Sequence, residues 1–580
     1  MTKRADDVLW LFRPGSTGAA EIRRDVLALT VLALLLYAAG LGLRDPWPAD
    51  EPRFALIARD MVSTGQWLFP QVGGDWYQDK PPVFFWAIAA FYALTGNLAV
   101  AFLLPSLLAG IGSLLLVYDL GRRVWSREVG LAAAGLLAVS FQMVVQARAA
   151  QIDMLLTLFA TAGLYGIGRH LLAGPDWRAY TLGGFAAGVG VITKGTGFLP
   201  LLLLLPFAAL RRGGFLPRAP ARGGARWWLA PAALLAGISL WLVPMLIAVE
   251  LSGDPGLRAY RDEILFRQTV TRYAAAWGHH EPWYYFILEV IPLFWLPGTA
   301  LLPWLVPRWR EAWRQHDGRS LLFLGWVVLV VGFFSLSTGK RGVYVLPALP
   351  AFALAAGPYL VQVWQRRGVQ RTAFGLAALL GLAAAAASLY LGWIRPDRMA
   401  ELAERHDVAS IAPLVTIAAA VALCLALLRP RRGLLAWIAT VACIVFVQGF
   451  WINPMINDAR SGRAFVEAFE RASPPGGELG LTQYREQYLL YITRPVVNFG
   501  HRRDDPEQEA FDAARWLSER SGRTLLVDEE LRGRCFGQAA AEWVGHSNRR
   551  DWFLVRDGAN PACAAQGDPG AALLYLPDAR

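Results

Sequence analysis

The stretch Leu98-AVAFLLPSLLAGIGSLLLVYDLGRRVWS-Arg127 carries no charged side chain from Leu98 to Tyr118 and then sets down Arg122, Arg123 and Arg127 in quick succession. An α-helix needs about 20 consecutive apolar residues to cross the ~30 Å hydrocarbon core of a bilayer. Arginines just beyond such a run mark its cytoplasmic end. This one segment therefore reads as a membrane span, and the rest of the chain repeats its pattern.

Apolar runs fall at about 25–43, 98–120, 129–147, 154–171, 179–193, 195–210, 227–250, 283–306, 320–336, 342–362, 372–392, 411–428 and 433–452, which predicts about 13 spans. With the N-terminus inside, every cytoplasmic loop is basic: Arg23 and Arg24, Arg122 to Arg127, Arg169 and Arg178, Arg211 to Arg226, Arg308 to Arg319, Arg366 to Arg371, and Arg429 to Arg432. Pro82 to Gly96 is apolar but short, and counting it as a span would invert every later loop. It is expected to be an interfacial or re-entrant helix.

Composition agrees. The 580 residues are 55% hydrophobic and only 17% charged, with a mean hydropathy of +0.36. A soluble protein of this size cannot bury that much apolar surface. The 24 Trp and 17 Tyr suit many membrane–water boundaries. The net charge of +11 sits in loop clusters that orient helices, so it does not mark a nucleic-acid face. Asp25 to Leu43 has no small-residue cleavage pattern after it and reads as a retained first span.

An odd number of spans leaves the tail outside. The expected domains are a membrane domain over 1–452, with an outside loop at 44–97, and a small soluble α/β domain over 453–580. Strand-like runs in the tail are Thr524–Val527, Trp552–Val555 and Ala572–Leu576, and Phe465–Ala472 and Glu509–Ser518 look like amphipathic helices. Cys535 and Cys563 lie there and could pair if the region is outside the cytoplasm.

The outside loops hold the polar residues that need a reason. The first contains Trp47-Pro48-Ala49-Asp50-Glu51-Pro52-Arg53-Phe54 and Asp75-Trp76-Tyr77-Gln78-Asp79-Lys80-Pro81-Pro82. Acidic and basic groups at the mouth of a membrane bundle suit a polar ligand. Asp50 and Glu51 could supply a general base and its neighbour, or belong to an amphipathic surface helix over Glu51–Met61. Asp153, in Gln151-Ile152-Asp153, reads either as the N-cap of the next span or as a second carboxylate at the same cavity. Later outside segments carry Arg267, Arg272, His279 and His280, then Lys340 and Arg341. The adjacent histidines point apart on any regular backbone and so are poor joint ligands for one metal ion. Lys80, Lys194 and Lys340 are cations beside apolar spans, a combination suited to a ligand with a phosphate head and a greasy tail, such as a polyprenyl phosphate. No Gly-rich nucleotide loop stands between a strand and a helix.

Taken in order, Asp50-Glu51-Pro52-Arg53-Phe54-Ala55, Tyr77-Gln78-Asp79-Lys80-Pro81-Pro82, Gln151-Ile152-Asp153, Arg272-Tyr273 with Gly278-His279, and Ser337-Thr338-Gly339-Lys340 resemble the GT-C membrane glycosyltransferases. The nearest likeness is to the lipid A aminoarabinose transferases, with the protein O-mannosyltransferases more distant. The resemblance implies a mainly α, polytopic GT-C bundle of about 13 helices with a periplasmic α/β domain, in a bacterial inner membrane. It implies inverting transfer of a sugar (4-amino-4-deoxy-L-arabinose is the first choice) from undecaprenyl phosphate to a lipid or protein acceptor such as lipid A. It makes Asp50 and Asp153 the catalytic candidates, and Arg53, Tyr77, Lys80, Lys194, Arg272 and Lys340 the substrate- and phosphate-binding ones. A divalent metal is a candidate cofactor, with Asp79 and His279 as ligands. Two departures stand out: Asp79-Lys80-Pro81 replaces the family's common Glu-Lys-Pro, and Arg267 stands near the place of a metal-holding histidine. A transporter or flippase, or an oligosaccharide ligase on a polyprenyl-linked glycan, is the competing class. Against a transporter, no repeated half is visible, and the charges gather in outside loops rather than at the midplane.

Overall fold

The computed structural model describes residues 18–216, 224–265, 280–483, 486–500, 505–537 and 541–577. Each apolar run predicted to span is occupied by a helix or by two helices meeting at a bend. Among the described residues eight helices are long and apolar enough to cross a membrane by length and composition. They include Leu98–Val124, Ile152–Leu172, Gly224–Ser252 and Arg367–Ile394. Two further runs are broken: Arg127–Ala138 meets Phe141–Ala147 at 66°, and Phe286–Phe294 meets Thr299–Arg314 at 97°. Three runs fall below the length or composition of a simple span. Trp177–Val191 and Ala412–Leu428 are short. The first helix, α1 (Ala19–Tyr37), begins among Glu21, Arg23, Arg24 and Asp25. Asp25 is nevertheless fully buried. It accepts two hydrogen bonds from Arg127 and one from the Tyr118 hydroxyl, each at 2.6 Å, so its charge is met inside the bundle.

Small residues let the spans approach closely. Helices Ile152–Leu172 and Trp177–Val191 cross over Gly163, Gly166 and Gly183, and a Cβ on Gly166 would collide with the Ala179 carbonyl.

The segment after α1 builds a second helix, α2 (Glu51–Thr64), and a two-stranded ribbon of β1 (Gln71–Val72) and β2 (Asp75–Trp76). It ends in α3 (Val83–Thr95), stopped by Gly96 in the left-handed conformation. At 13 residues α3 is about 20 Å long, too short to cross the core, as expected from its sequence.

The C-terminal part is a small sheet-containing domain. Its strands are β3 (Leu479–Leu481), β4 (Val496–Asn498), β5 (Thr524–Asp528), β6 (Ala541–Ser547), β7 (Arg550–Val555) and β8 (Leu573–Tyr575), in the order β6-β7-β5-β3-β4-β8. The central strand β3 pairs parallel with β4 and β5, and the outer partners β7 and β8 run antiparallel. All five residues of β5 are buried, so both faces of the sheet are covered. Leu525 and Val527 pack with Ala510, Ala513 and Leu517 of the helix Pro506–Glu519. Leu526, one step out of phase, joins Leu554, Trp552 and the helix Arg463–Ala472 in the large core that also contains α2. Cys535 and Cys563 form a disulfide under the first face.

Candidate active site

Pro52 sits in the first turn of α2, where its missing N–H costs nothing, and so fixes the start of the helix just after Asp50. Asp50 occupies the N-cap position but makes no side-chain cap. Its carboxylate instead faces two guanidinium groups: Arg53 at 3.5 Å from Oδ1 and Arg341 at 3.5 Å from Oδ2. With about a fifth of the Asp50 side chain exposed, a ligand can still reach it.

Arg53 is more deeply held. Its Nε donates to Glu486 Oε1 of the C-terminal domain at 2.5 Å. Its Cζ lies 6.0 Å from the ring centroid of Tyr77, a buried residue packed edge-on against Phe85. Burial alone would lower the pKa of Arg53, but Tyr77, Glu486 and Asp50 outweigh it, and its proton is held more firmly than usual.

Glu51 does not lie on a solvated face. It is buried and accepts from Arg44 Nη1 and Nη2 at 2.5 and 2.8 Å, from the Trp47 amide at 3.0 Å and from the Ala150 amide at 2.9 Å. It is the post around which residues 44–50 wrap, and its last bond ties that loop to the turn before Ile152–Leu172. The surface-helix reading of Glu51 is thereby corrected: the helix exists, but its first carboxylate is inside.

Asp153 lies beyond the next residue of that turn. It is not the N-cap, which is Gln151. It lies in the first turn of its helix, 6% exposed, and its carboxylate pairs with Lys194 Nζ at 2.5 Å. The same ammonium lies 4.3 Å from the Tyr344 ring centroid. The two acids thus meet one segment: Asp50 faces Arg341 and the partner of Asp153 faces Tyr344, whose amide donates to the Arg341 carbonyl. A buried chain fixes that segment, with Trp295 Nε1 donating to Gln142 Oε1 and Gln142 Nε2 donating to the Gly342 carbonyl, both at 2.8 Å.

The other predicted residues divide. Lys340 is buried and donates to the Glu281 carbonyl at 2.6 Å, closing the bridge between Gly339 and His280. Asp79 and Lys80 are half-buried on the turn between Tyr77 and α3. Arg272 and His279 lie outside the described residues. Among the described residues, no group of three or more His, Cys, Asp or Glu side chains is placed to hold a metal ion.

Two participants are not singled out as site residues by the sequence. Arg341 reads like its neighbour Lys340, and its contact with Asp50 separates the two. Glu486 lies more than 400 positions from Arg53 in the chain, and no local signal links the two.

The fold is that of a multi-pass membrane protein of the GT-C class. A solved structure of ArnT from Cupriavidus metallidurans, bound to undecaprenyl phosphate, superposes with a TM-score of 0.72 over 94% of this chain and 99% of that one, at 19% identity. The dolichyl-phosphate-mannose-protein mannosyltransferase family model matches residues 79–243. The undecaprenyl phosphate-α-4-amino-4-deoxy-L-arabinose arabinosyl transferase of Pseudomonas paraeruginosa is 31% identical over 388 residues, which are 64% of this chain and 67% of that one. One of the two such transferases of Pseudomonas fluorescens Pf-5, numbered 2, is 30% identical over 66% of this chain, and the match spans 65% of its length, just under two thirds. The chain belongs to the family of undecaprenyl phosphate-α-4-amino-4-deoxy-L-arabinose arabinosyl transferases.

Proposed function

We propose that the protein is an inverting glycosyltransferase that moves a sugar, 4-amino-4-deoxy-L-arabinose in the first instance, from undecaprenyl phosphate to an extracytoplasmic acceptor such as lipid A. The observation that carries this reading is the carboxylate of Asp50, accessible yet flanked by Arg53 and Arg341 at the head of the loop helix. The names of the relatives support the donor, and the disulfide of the C-terminal domain supports an oxidising, periplasmic side for the site. In this reading residues 1–452 form the membrane domain, with a cytoplasmic N-terminus, and 453–580 the periplasmic domain.

The chemistry asks little of the protein beyond placement. The acceptor hydroxyl oxygen attacks the anomeric carbon from the face opposite the phosphate, and its proton passes to Asp50. The bond between anomeric carbon and phosphate oxygen breaks, and its electron pair leaves with the phosphate. That leaving group is already a stable anion, so cations suffice to stabilise it, and Arg53, Lys80 and Arg272 are assigned this task. Asp153 is assigned as the second catalytic carboxylate, and Lys194, which pairs with it, as a further cation for the substrate.

The test is mass spectrometry of lipid A and surface glycans from cells with and without the protein, paired with transfer by purified protein from a polyprenyl-phosphate aminosugar. A mass increment of one aminopentose that needs the protein is expected. Unchanged glycans, together with no release of sugar from the donor, would overturn the reading.

A further inference from the structure

The C-terminal domain grips α2 at several points. Arg59 donates to the Leu490 carbonyl at 2.7 Å, the Tyr575 hydroxyl bonds Asp60 at 3.1 Å, and Asn498 holds the Gly73 carbonyl at 3.0 Å. These contacts fasten the helix and its ribbon. Glu486 does something different, because it reaches past the helix surface to the side chain of Arg53. It stands on a rigid mount: Tyr488, two residues on, packs against Phe465 and Trp552 with centroids 4.9 and 5.4 Å apart.

We propose that Glu486 is a positioning residue of the active site, through which the C-terminal domain aims the Arg53 guanidinium. This rests on the reading of Arg53 as a donor-phosphate ligand. A guanidinium is a planar fork of five N–H donors, so fixing its Nε fixes the plane of the rest. Glu486 takes Nε at 2.5 Å, whereas Asp50 lies at 3.5 Å from Nη1. Both partners of the Glu486 contact are largely buried, with side-chain exposures of 15% and 9%. Without Glu486, Arg53 keeps its other ion pair, with Asp50. The guanidinium would close onto that carboxylate, taking a cation from the phosphate and the proton acceptor from the reaction together. Glu486 holds the two apart.

The experiment measures kcat/KM of the purified full-length protein for a polyprenyl-phosphate aminosugar donor, with thermal midpoints from the same samples. Glu486→Gln is expected to lower kcat/KM about tenfold or more, since sub-ångström misplacement is costly in such a site. In an Arg53→Gln background the same substitution is expected to cause no further loss, because the two act as one unit. Tyr575→Phe loosens the docking but not Arg53, and is expected to lower the midpoint while leaving kcat/KM as in the wild type. Should the Gln variant fail to insert, the cycle is run with Glu486→Asp, whose shorter reach weakens the same contact. Wild-type kinetics in the Glu486 variant, or equal losses in both backgrounds, would overturn the proposal while leaving the donor reading intact. A wild-type protein that never turns the donor over would overturn both.

Discussion

Lys194 and Asp153 form a pair at the mouth of the bundle, 2.5 Å from nitrogen to oxygen, with the ammonium also set 4.3 Å from the Tyr344 ring. Asp153 is almost fully enclosed, and Lys194 is the cation placed against it. Lys194→Met is expected to destabilise the protein by about 3–5 kcal/mol, the usual cost of stranding a buried charge. Asp153→Asn added to it should restore most of the thermal midpoint measured in detergent. The recovered double variant is expected to be inactive; full activity would make the pair a structural clamp and nothing more.

Asp50 is a carboxylate that two cations face and solvent still reaches. Asp50→Asn keeps its shape and removes its basicity. Transfer is expected to fall about a hundredfold or more, within the range of general-base contributions, while the protein still inserts and stays monodisperse. Arg341→Ala should weaken the site without abolishing it, since that side chain is 43% exposed and water can replace part of its charge. Full activity of purified Asp50→Asn would remove the base assignment.

The membrane fold was legible because its signal is long. Twenty apolar residues closed by arginines cannot be mistaken for a loop, and each predicted run holds a helix or a bent pair. The kinks were not legible, since helices such as Arg127–Ala138 and Phe141–Ala147 read as one continuous apolar run. In the C-terminal domain β5, β7 and β8 stood out through their Val, Leu and Phe. Strands β3, β4 and β6 did not. The short β3 is broken by Gly480, the short β4 runs straight into Asn498, and β6 carries Glu542, Gly545 and His546 with a shift of register between Trp543 and Gly545. At the site, motif order pointed to Asp50, Arg53 and Tyr77, which lie together. It could not tell Lys340 from Arg341, because adjacent residues share every local property and differ only in direction. Nor could it find Glu486, whose place near Arg53 is set by how the whole domain docks.

Glu51 accepts four hydrogen bonds on two oxygens. A neutral amide cannot serve the Arg44 fork and the two backbone amides together, because its NH2 would meet a donor. Glu51→Gln should therefore cost about 3–5 kcal/mol as a broken buried pair. Activity should fall with it, since the post carries the Asp50 loop. A thermal midpoint within one degree or so of the wild type would show that the loop is held by other means.

The same loop is tied to the C-terminal domain through Asp45. Burial would raise this carboxyl, but hydrogen bonds from Arg463, at 2.7 and 3.1 Å, and from Asn457, at 3.0 Å, outweigh it and hold the group below its ordinary range. The folded pKa is depressed, so the stabilisation is present at and above the unfolded value near 3.8 and is lost as pH falls through the folded one. Arg463 is about half exposed, which limits the strength of the tie. The wild-type midpoint is therefore expected to drop, as pH falls below the ordinary value near 3.8, by more than that of Asp45→Asn, which has nothing there to protonate. At neutral pH the variant should already be the less stable of the two. Parallel acid limbs in the two proteins would show that Asp45 contributes nothing to the docking of the domain.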